Sequence, residues 1–318
     1  MSITKHAQPR RHHYIPVFYL RRWAGNDGRL CQFSKEAGII RPLRRSSKAT
    51  GFIRALYELR DFPPDLAQQI ESKFFHPIDS LAADALDLLE KDGDQALWNP
   101  DIRSAWTRFN LSLLLRCPEY INTLRMWWPN EFRRTDPAQE ARYQSQRSES
   151  DPPTFFDFLS TRPEAEIEKY QFEFLFKLID SSRMGTQINN LHWRVVDFTP
   201  DCVPLLTSDR PVIRTSGLML PNGHLALPIG PRKLFVATHD DAVLNKIKQV
   251  SRTHLAKEIN QHVVRNAVRY VYAIDDKHLP FIKKNFGTVR EARLMEEIVN
   301  APQSPSPAIG LVPREPPI

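Results

Sequence analysis

The 318-residue sequence predicts an α+β fold, with a helical central part between a small β-rich N-terminal segment and a β-containing C-terminal half. Three observations carry this. Short apolar runs broken by Gly, Asn and Asp dominate residues 29–58, apolar residues at steps of three and four dominate 64–183, and strand-like runs return after Gly185. Residues 1–300 read as one α+β domain, basic and β-rich over 1–60, helical over 64–183 and mixed over 190–300. The stretch 301–318 carries six prolines and reads as a disordered or polyproline-like tail.

The elements follow in order. Asn26-Asp27-Gly28 and Gly38 are turn signals around Leu30, Cys31, Phe33, Ile39, Ile40, Phe52, Ile53 and Tyr57, which predicts a small hairpin or meander. From Pro64, residues Leu66, Ile70, Phe74, Ile78, Leu81, Ala85 and Leu88 recur at helical spacing until Lys91-Asp92-Gly93, with Pro77 expected to kink the helix. Asn99 as N-cap and Pro100 at the first position open a second helix through Ile102, Trp106, Phe109 and Leu113. Cys117-Pro118 ends it, and a third helix runs through Tyr120 to Trp128. Residues 130–153 are polar and hold Pro137, Pro152 and Pro153, the mark of a surface loop or weak helix. Another helix spans Pro163 to about Ser182. His192 to Phe198 alternates as a strand, and Val203 to Leu206, Val212-Ile213, Leu225 to Leu227 and Leu234 to Ala237 are short apolar runs. A helix over about 241–268 then leads to a strand over Arg269 to Ile274. Pattern alone leaves open whether the two β-containing ends share a sheet.

Charge is unevenly placed. The chain has 44 Lys+Arg and 37 Asp+Glu, a net +7, but residues 1–60 hold 13 basic residues against Asp27, Glu36 and Glu58. That is a balance of +10, which leaves 31 against 34, or −3, over 61–318. An electrostatic partner site is thereby confined to one end. Cys31, Cys117 and Cys202 lie far apart, matching neither a disulfide framework nor zinc-finger spacing, which points to a reducing cytoplasm. No 18-residue apolar run exists to suggest a membrane span, and the scarcity of Gly disfavours glycine-loop nucleotide folds.

Residues 12–23 read H-H-Y-I-P-V-F-Y-L-R-R-W. This opening resembles that of the bacterial domain-of-unknown-function 4238 family. Further stretches are similar to the family in the same order: Ile70-Glu71, Arg116 with Pro118, Thr207 to Val212, Ile259-Asn260, and Ala267 to Tyr272. The resemblance implies that 12–23, Glu71 and 207–212 belong together in one fold, and implies no activity.

Several side chains are candidates for chemistry. His12 and His13, amid Arg10, Arg11, Arg21 and Arg22, suit a metal ligand or a general base near a phosphate, with Arg21 as clamp; the bland alternative is a histidine bonded to backbone. Asp209, before Pro211 at an expected strand tip, suits a divalent cation or a simple side-chain turn. Glu71, at the margin of a helix's apolar face, suits a ligand or an arginine ion pair. His13, Glu71 and Asp209 together would suit Mg²⁺ or Mn²⁺. Arg41, Arg44, Arg45 and Lys48, with Phe33, Phe52 and Tyr57, suit single-stranded nucleic acid, unless they pair internally with acids such as Asp84, Asp87 and Glu90. Two functions follow as expectations: a cytoplasmic, metal-dependent phosphodiesterase or nuclease, or a non-catalytic module that binds nucleic acid or protein through the basic segment.

Overall fold

A computed structural model describes residues 11–59, 70–215, 217–290 and 294–301. The expected helix start at Pro64 and Leu66, Arg10, and nearly all of the proline-rich tail lie outside these residues.

The first strand, β1 (Arg11–His13), pairs antiparallel with β4 (Phe52–Arg54). Between them come a short helix α1 (Val17–Leu20), a 3-10 turn (Arg21–Trp23) and the hairpin β2 (Arg29–Glu36) and β3 (Ile39–Ser46). Ala37 and Gly38, at φ 47° and 83°, turn the hairpin; two successive positive φ angles match the right-handed twist of the strands. The sequence left the pairing of the two ends open, and the structure answers it. The late strand β10 (Tyr270–Ala273) inserts between β2 and β6 (Thr207–Ser208), giving a four-stranded antiparallel sheet ordered β3-β2-β10-β6.

The central helices pack beside this sheet. A π-helical turn (Ile70–Phe75) runs into α2 (His76–Asp92). Pro77 sits where the two meet, so the expected irregularity takes the form of a widened turn ahead of the proline rather than a kink in mid-helix. Helix α3 (Pro100–Leu115) opens as expected, Asn99 Oδ1 accepting from the Ile102 amide at 2.8 Å. Helix α4 (Pro118–Arg133) follows directly. The polar stretch expected as a surface loop or weak helix contains α5 (Pro137–Gln146), started by a reciprocal capping box between Asp136 and Gln139, and is followed by α6 (Phe155–Ser160). Local capping and the docking of Tyr143 against Phe155 and Phe158 outweigh the polar composition. Helices α7 (Glu164–Ile179) and α8 (Ser182–Asn189) complete the middle.

A second four-stranded antiparallel sheet, β5-β9-β8-β7, comprises β5 (His192–Asp197), β7 (Ile213–Arg214), β8 (His224–Gly230) and β9 (Lys233–Thr238). The apolar run at Val203 to Leu206 is not a strand; pairing begins one residue later, at Thr207. The single helix expected over 241–268 is two, α9 (Asp241–Gln249) and α10 (Arg252–Arg265), because Ser251 caps a fresh N-terminus through the His254 amide. Helices α11 (Leu279–Asn285) and α12 (Leu294–Asn300) end the described chain, α12 lying against α4. The largest core cluster draws residues from Tyr14 to Met295. Among the described residues, no helix is long and apolar enough to cross a membrane. All three cysteines are buried and unbridged.

Candidate functional site

The H-H-Y segment is fixed by its surroundings. Gly51, at φ 68°, accepts the Tyr14 and Ile15 amides through its carbonyl at 2.9 and 3.1 Å. A Cβ at Gly51 would lie 2.9 Å from the Ile15 carbonyl oxygen, so glycine is what permits this close approach. Alternation along β1 then turns the two histidines to opposite sides.

His12 goes inward. It is fully buried, its ring stacks on Tyr57 at 5.5 Å, and its Nδ1 accepts the Tyr57 amide at 2.9 Å. Its place as a catalytic candidate is therefore corrected to a core tie. Tyr57 continues the chain of contacts by donating its hydroxyl to the Arg116 carbonyl at 2.7 Å.

His13 faces the other way, half-buried, with its ring edge on Phe52 at 5.4 Å. Burial lowers its pKa below the usual histidine value, and a hydrogen bond to the Lys48 backbone opposes that. Its Nε2 is buried without a partner.

Arg116 is the charge that both His13 and Glu71 sense. Its side chain is completely buried at the end of α3, donating from Nε to the Tyr14 carbonyl (3.1 Å) and from Nη1 to both Asp79 oxygens (3.0 and 3.2 Å). Its Nη2 has no partner. Glu71, on the π-helical turn, also has a buried oxygen, Oε2, without a partner. Burial pushes its carboxyl up to about 7, against the opposing pull of Arg116. Among the described residues Glu71 makes no arginine ion pair, and Arg116 gives its Nη1 to Asp79. A buried polar atom left unpartnered costs about 1–3 kcal/mol, so one on each of these three side chains calls for a reason.

Asp209 behaves differently. It is buried, and its Oδ1 and Oδ2 accept the Val268 and Arg269 amides at 3.0 and 2.8 Å. Nearby, Glu119 binds Arg210 and Arg269, each at 2.6 Å, and Arg210 lies over the Tyr120 ring at 4.2 Å. Burial opposes the Glu119 charge, yet the two arginines hold its pKa below the usual carboxylate value. The strand-tip cation site expected at Asp209 is replaced by a tie between β6 and the start of β10. The set His13, Glu71 and Asp209 makes no metal centre: among the described residues, no three His, Cys, Asp or Glu side chains are grouped to hold an ion.

The basic candidates divide. Arg22 is nearly buried against Asp87 and Glu90, and Arg21 reaches Asp87 at 3.8 Å, so neither stands free as a phosphate clamp. Arg44 is held by Asp27 and the Ile274 carbonyl. Arg41, Arg45 and Lys48 have no acidic partner among the described residues. Phe33 and Tyr57 are fully buried and offer no stacking face, whereas Phe52 is half-buried.

Most residues that carry the family resemblance are structural. Tyr19 donates to the Pro228 carbonyl (2.7 Å) and shares a 2.7 Å hydrogen bond with Thr207, and Trp23 donates to the Leu205 carbonyl at 2.8 Å. Asn260 bridges the Leu206 amide and the Pro204 carbonyl, and Tyr272 meets Thr50. What remains is an α+β protein in which His13, Glu71 and Arg116 keep polar atoms in reserve. The chain belongs to the family described as a protein of unknown function (DUF4238), whose model matches residues 11–277. No curated protein and no solved structure matches it. Sequence reasoning treated Arg116 only as part of a motif; an arginine at a helix end beside Cys-Pro gives no local sign that it is buried.

Proposed function

We propose that His13, Glu71 and Arg116 form a metal-independent acid–base site for an anionic ester, a phosphodiester being the chemistry that suits it best. The observation that carries this reading is an unpartnered buried atom on each of the three side chains, with both titratable groups feeling the Arg116 charge. Burial drives the two titratable groups in useful directions. His13 tends to be neutral and Glu71 tends to stay protonated up to about pH 7, so a base and an acid coexist below that pH.

The roles follow from the free atoms. His13 Nε2 takes a proton from the attacking water as the new phosphorus–oxygen bond forms. Glu71 gives its proton to the departing oxygen as the old bond breaks, and Arg116 Nη2 donates to a non-bridging oxygen. Water and ester thus become an acid phosphate and an alcohol, with the site's protons restored by exchange between the two groups and solvent.

Hydrolysis of a chromogenic phosphodiester in the presence of a chelator tests this. Turnover should survive chelation, fall by about 10²–10⁴ in His13→Ala and in Glu71→Gln, and decline above pH 7. Turnover that needs added Mg²⁺ or Mn²⁺ would overturn it. A second reading, binding without turnover, is favoured by the cations Arg41, Arg45 and Lys48, which lack acidic partners among the described residues; it gains if nucleic acid binds and no ester is cleaved.

A further inference from the structure

The β1–β4 ribbon carries a surface that the acid–base site shares only through His13. Its register sets Arg11 opposite Arg54, His12 opposite Ile53 and His13 opposite Phe52. Because side chains alternate, His12 and Ile53 turn to the core while Arg11, Arg54, Phe52 and His13 share the outer face. Both arginines are exposed. Like charges directly opposite each other in an antiparallel pair are destabilising, and among the described residues no carboxylate relieves this pair. The Arg11 guanidinium instead lies 5.0 Å from the Phe52 ring centre, and the His13 ring meets the same phenyl edge-on. Exposed Lys48, whose backbone lies close enough to His13 to affect its pKa, adds a third cation with no acidic partner among the described residues.

We propose that this face docks a single-stranded polynucleotide, Arg11, Arg54 and Lys48 taking backbone phosphates and Phe52 stacking a base. Unpaired cations interleaved with an aromatic ring fit a strand whose phosphates and base faces are both free. A duplex would leave Phe52 unused, and an anionic membrane would need more apolar surface than one half-buried phenyl. At roughly 3.4 Å per residue, three-residue strands span about 10 Å, a footprint of a few nucleotides. Delivery of the strand to His13 rests on the phosphoester reading above; the docking stands apart from it.

The test is fluorescence anisotropy of a labelled oligo(dT) with the full chain. Affinity should fall with salt at a log–log slope of about −2, from three phosphates at roughly −0.7 each. Arg11→Glu with Arg54→Glu should weaken binding at least about tenfold, and Phe52→Leu by about fivefold or more. Arg21→Glu, on an arginine already beside Asp87, should change it little. Circular dichroism checks folding, and Arg11→Gln with Arg54→Gln, gentler on the ribbon, should give a smaller loss of the same sign. The proposal is overturned if the ribbon variants bind as the parent does, if Arg21→Glu costs as much, or if duplex or anionic vesicles compete as well as oligo(dT). Oligo(dT) binding retained in His13→Ala, with no ester cleaved by the parent, sinks the acid–base reading alone. Cleavage of a small diester without oligo(dT) binding sinks the docking alone.

Discussion

Two buried clusters lie on either side of the Arg116-Cys117-Pro118-Glu119 segment, and they treat their carboxylates in opposite ways. At Asp209 and Glu119 every carboxylate oxygen has a donor: two backbone amides for the first, two guanidinium groups for the second. At Glu71 one oxygen is buried with none, although Arg116 is close enough to affect its charge. A saturated carboxylate fastens segments distant in sequence, here residues 119, 209 and 269. An unsaturated one keeps an acceptor in hand, and that is the basis of the chemistry proposed for Glu71. Both clusters set carboxylates beside arginine, and the donor count on the carboxylate is what differs, although Arg210 Nε and Nη1 are themselves buried without partners.

The sharpest way to break this comparison is Asp209→Asn. The new amide group would set a donor against a backbone amide and remove one of the two carboxylates near Arg210, Glu119 remaining. A loss of roughly 1–3 kcal/mol in urea-measured stability is expected. If Asp209→Asn kept full stability and lost activity, Asp209 would belong to the chemistry after all.

Glu71→Gln should act in the other direction. Burial raises the Glu71 pKa, so the native state resists ionisation: no penalty exists below the ordinary value of 4.5, and it grows as pH rises towards about 7. A lift of that size corresponds to roughly 3 kcal/mol, so Glu71→Gln should stabilise the protein by up to that amount above pH 7 and hardly at all near pH 4. Paired urea titrations at the two ends of that range would show it; equal effects at both would mean that Glu71 is partnered in solution.

His13 should contribute a smaller dependence of opposite sign. Its lowered pKa means a penalty that is absent above 6.5 and grows as pH falls below it, so His13→Gln should flatten the acidic limb of the stability profile. The smallest expected effect lies far from either cluster. Asn99→Ala removes the N-cap of α3 and should cost about 1 kcal/mol without touching turnover or its pH profile.

Legibility followed the range of the interactions. Asn99-Pro100 announced α3 because a cap and its helix are neighbours in sequence, and the turn residues at 37–38 and 26–28 announced the hairpin for the same reason. The capping box at Asp136 was equally local but was masked by the polar, proline-rich composition around it. His13 was legible as a candidate, yet nothing in H-H-Y said which histidine faces inward. That choice comes from the pairing of β1 with β4 and the position of Tyr57. Asp209 was misread because its donors, the amides of residues 268 and 269, lie about sixty positions away.

The sequence by itself determined the α+β class, the family resemblance and the concentration of basic charge in the first sixty residues, since periodicity, motif order and composition are written along the chain. Tertiary structure decided which charges are spent. Arg21, Arg22 and Arg44 are neutralised by acids, while Arg11 and Arg54 face one another with none among the described residues. Arg116 ended fully buried, held by Asp79 and the Tyr14 carbonyl. Whether a polar atom finds a partner depends on what folding brings within about 3 Å of it, and no local pattern encodes that distance.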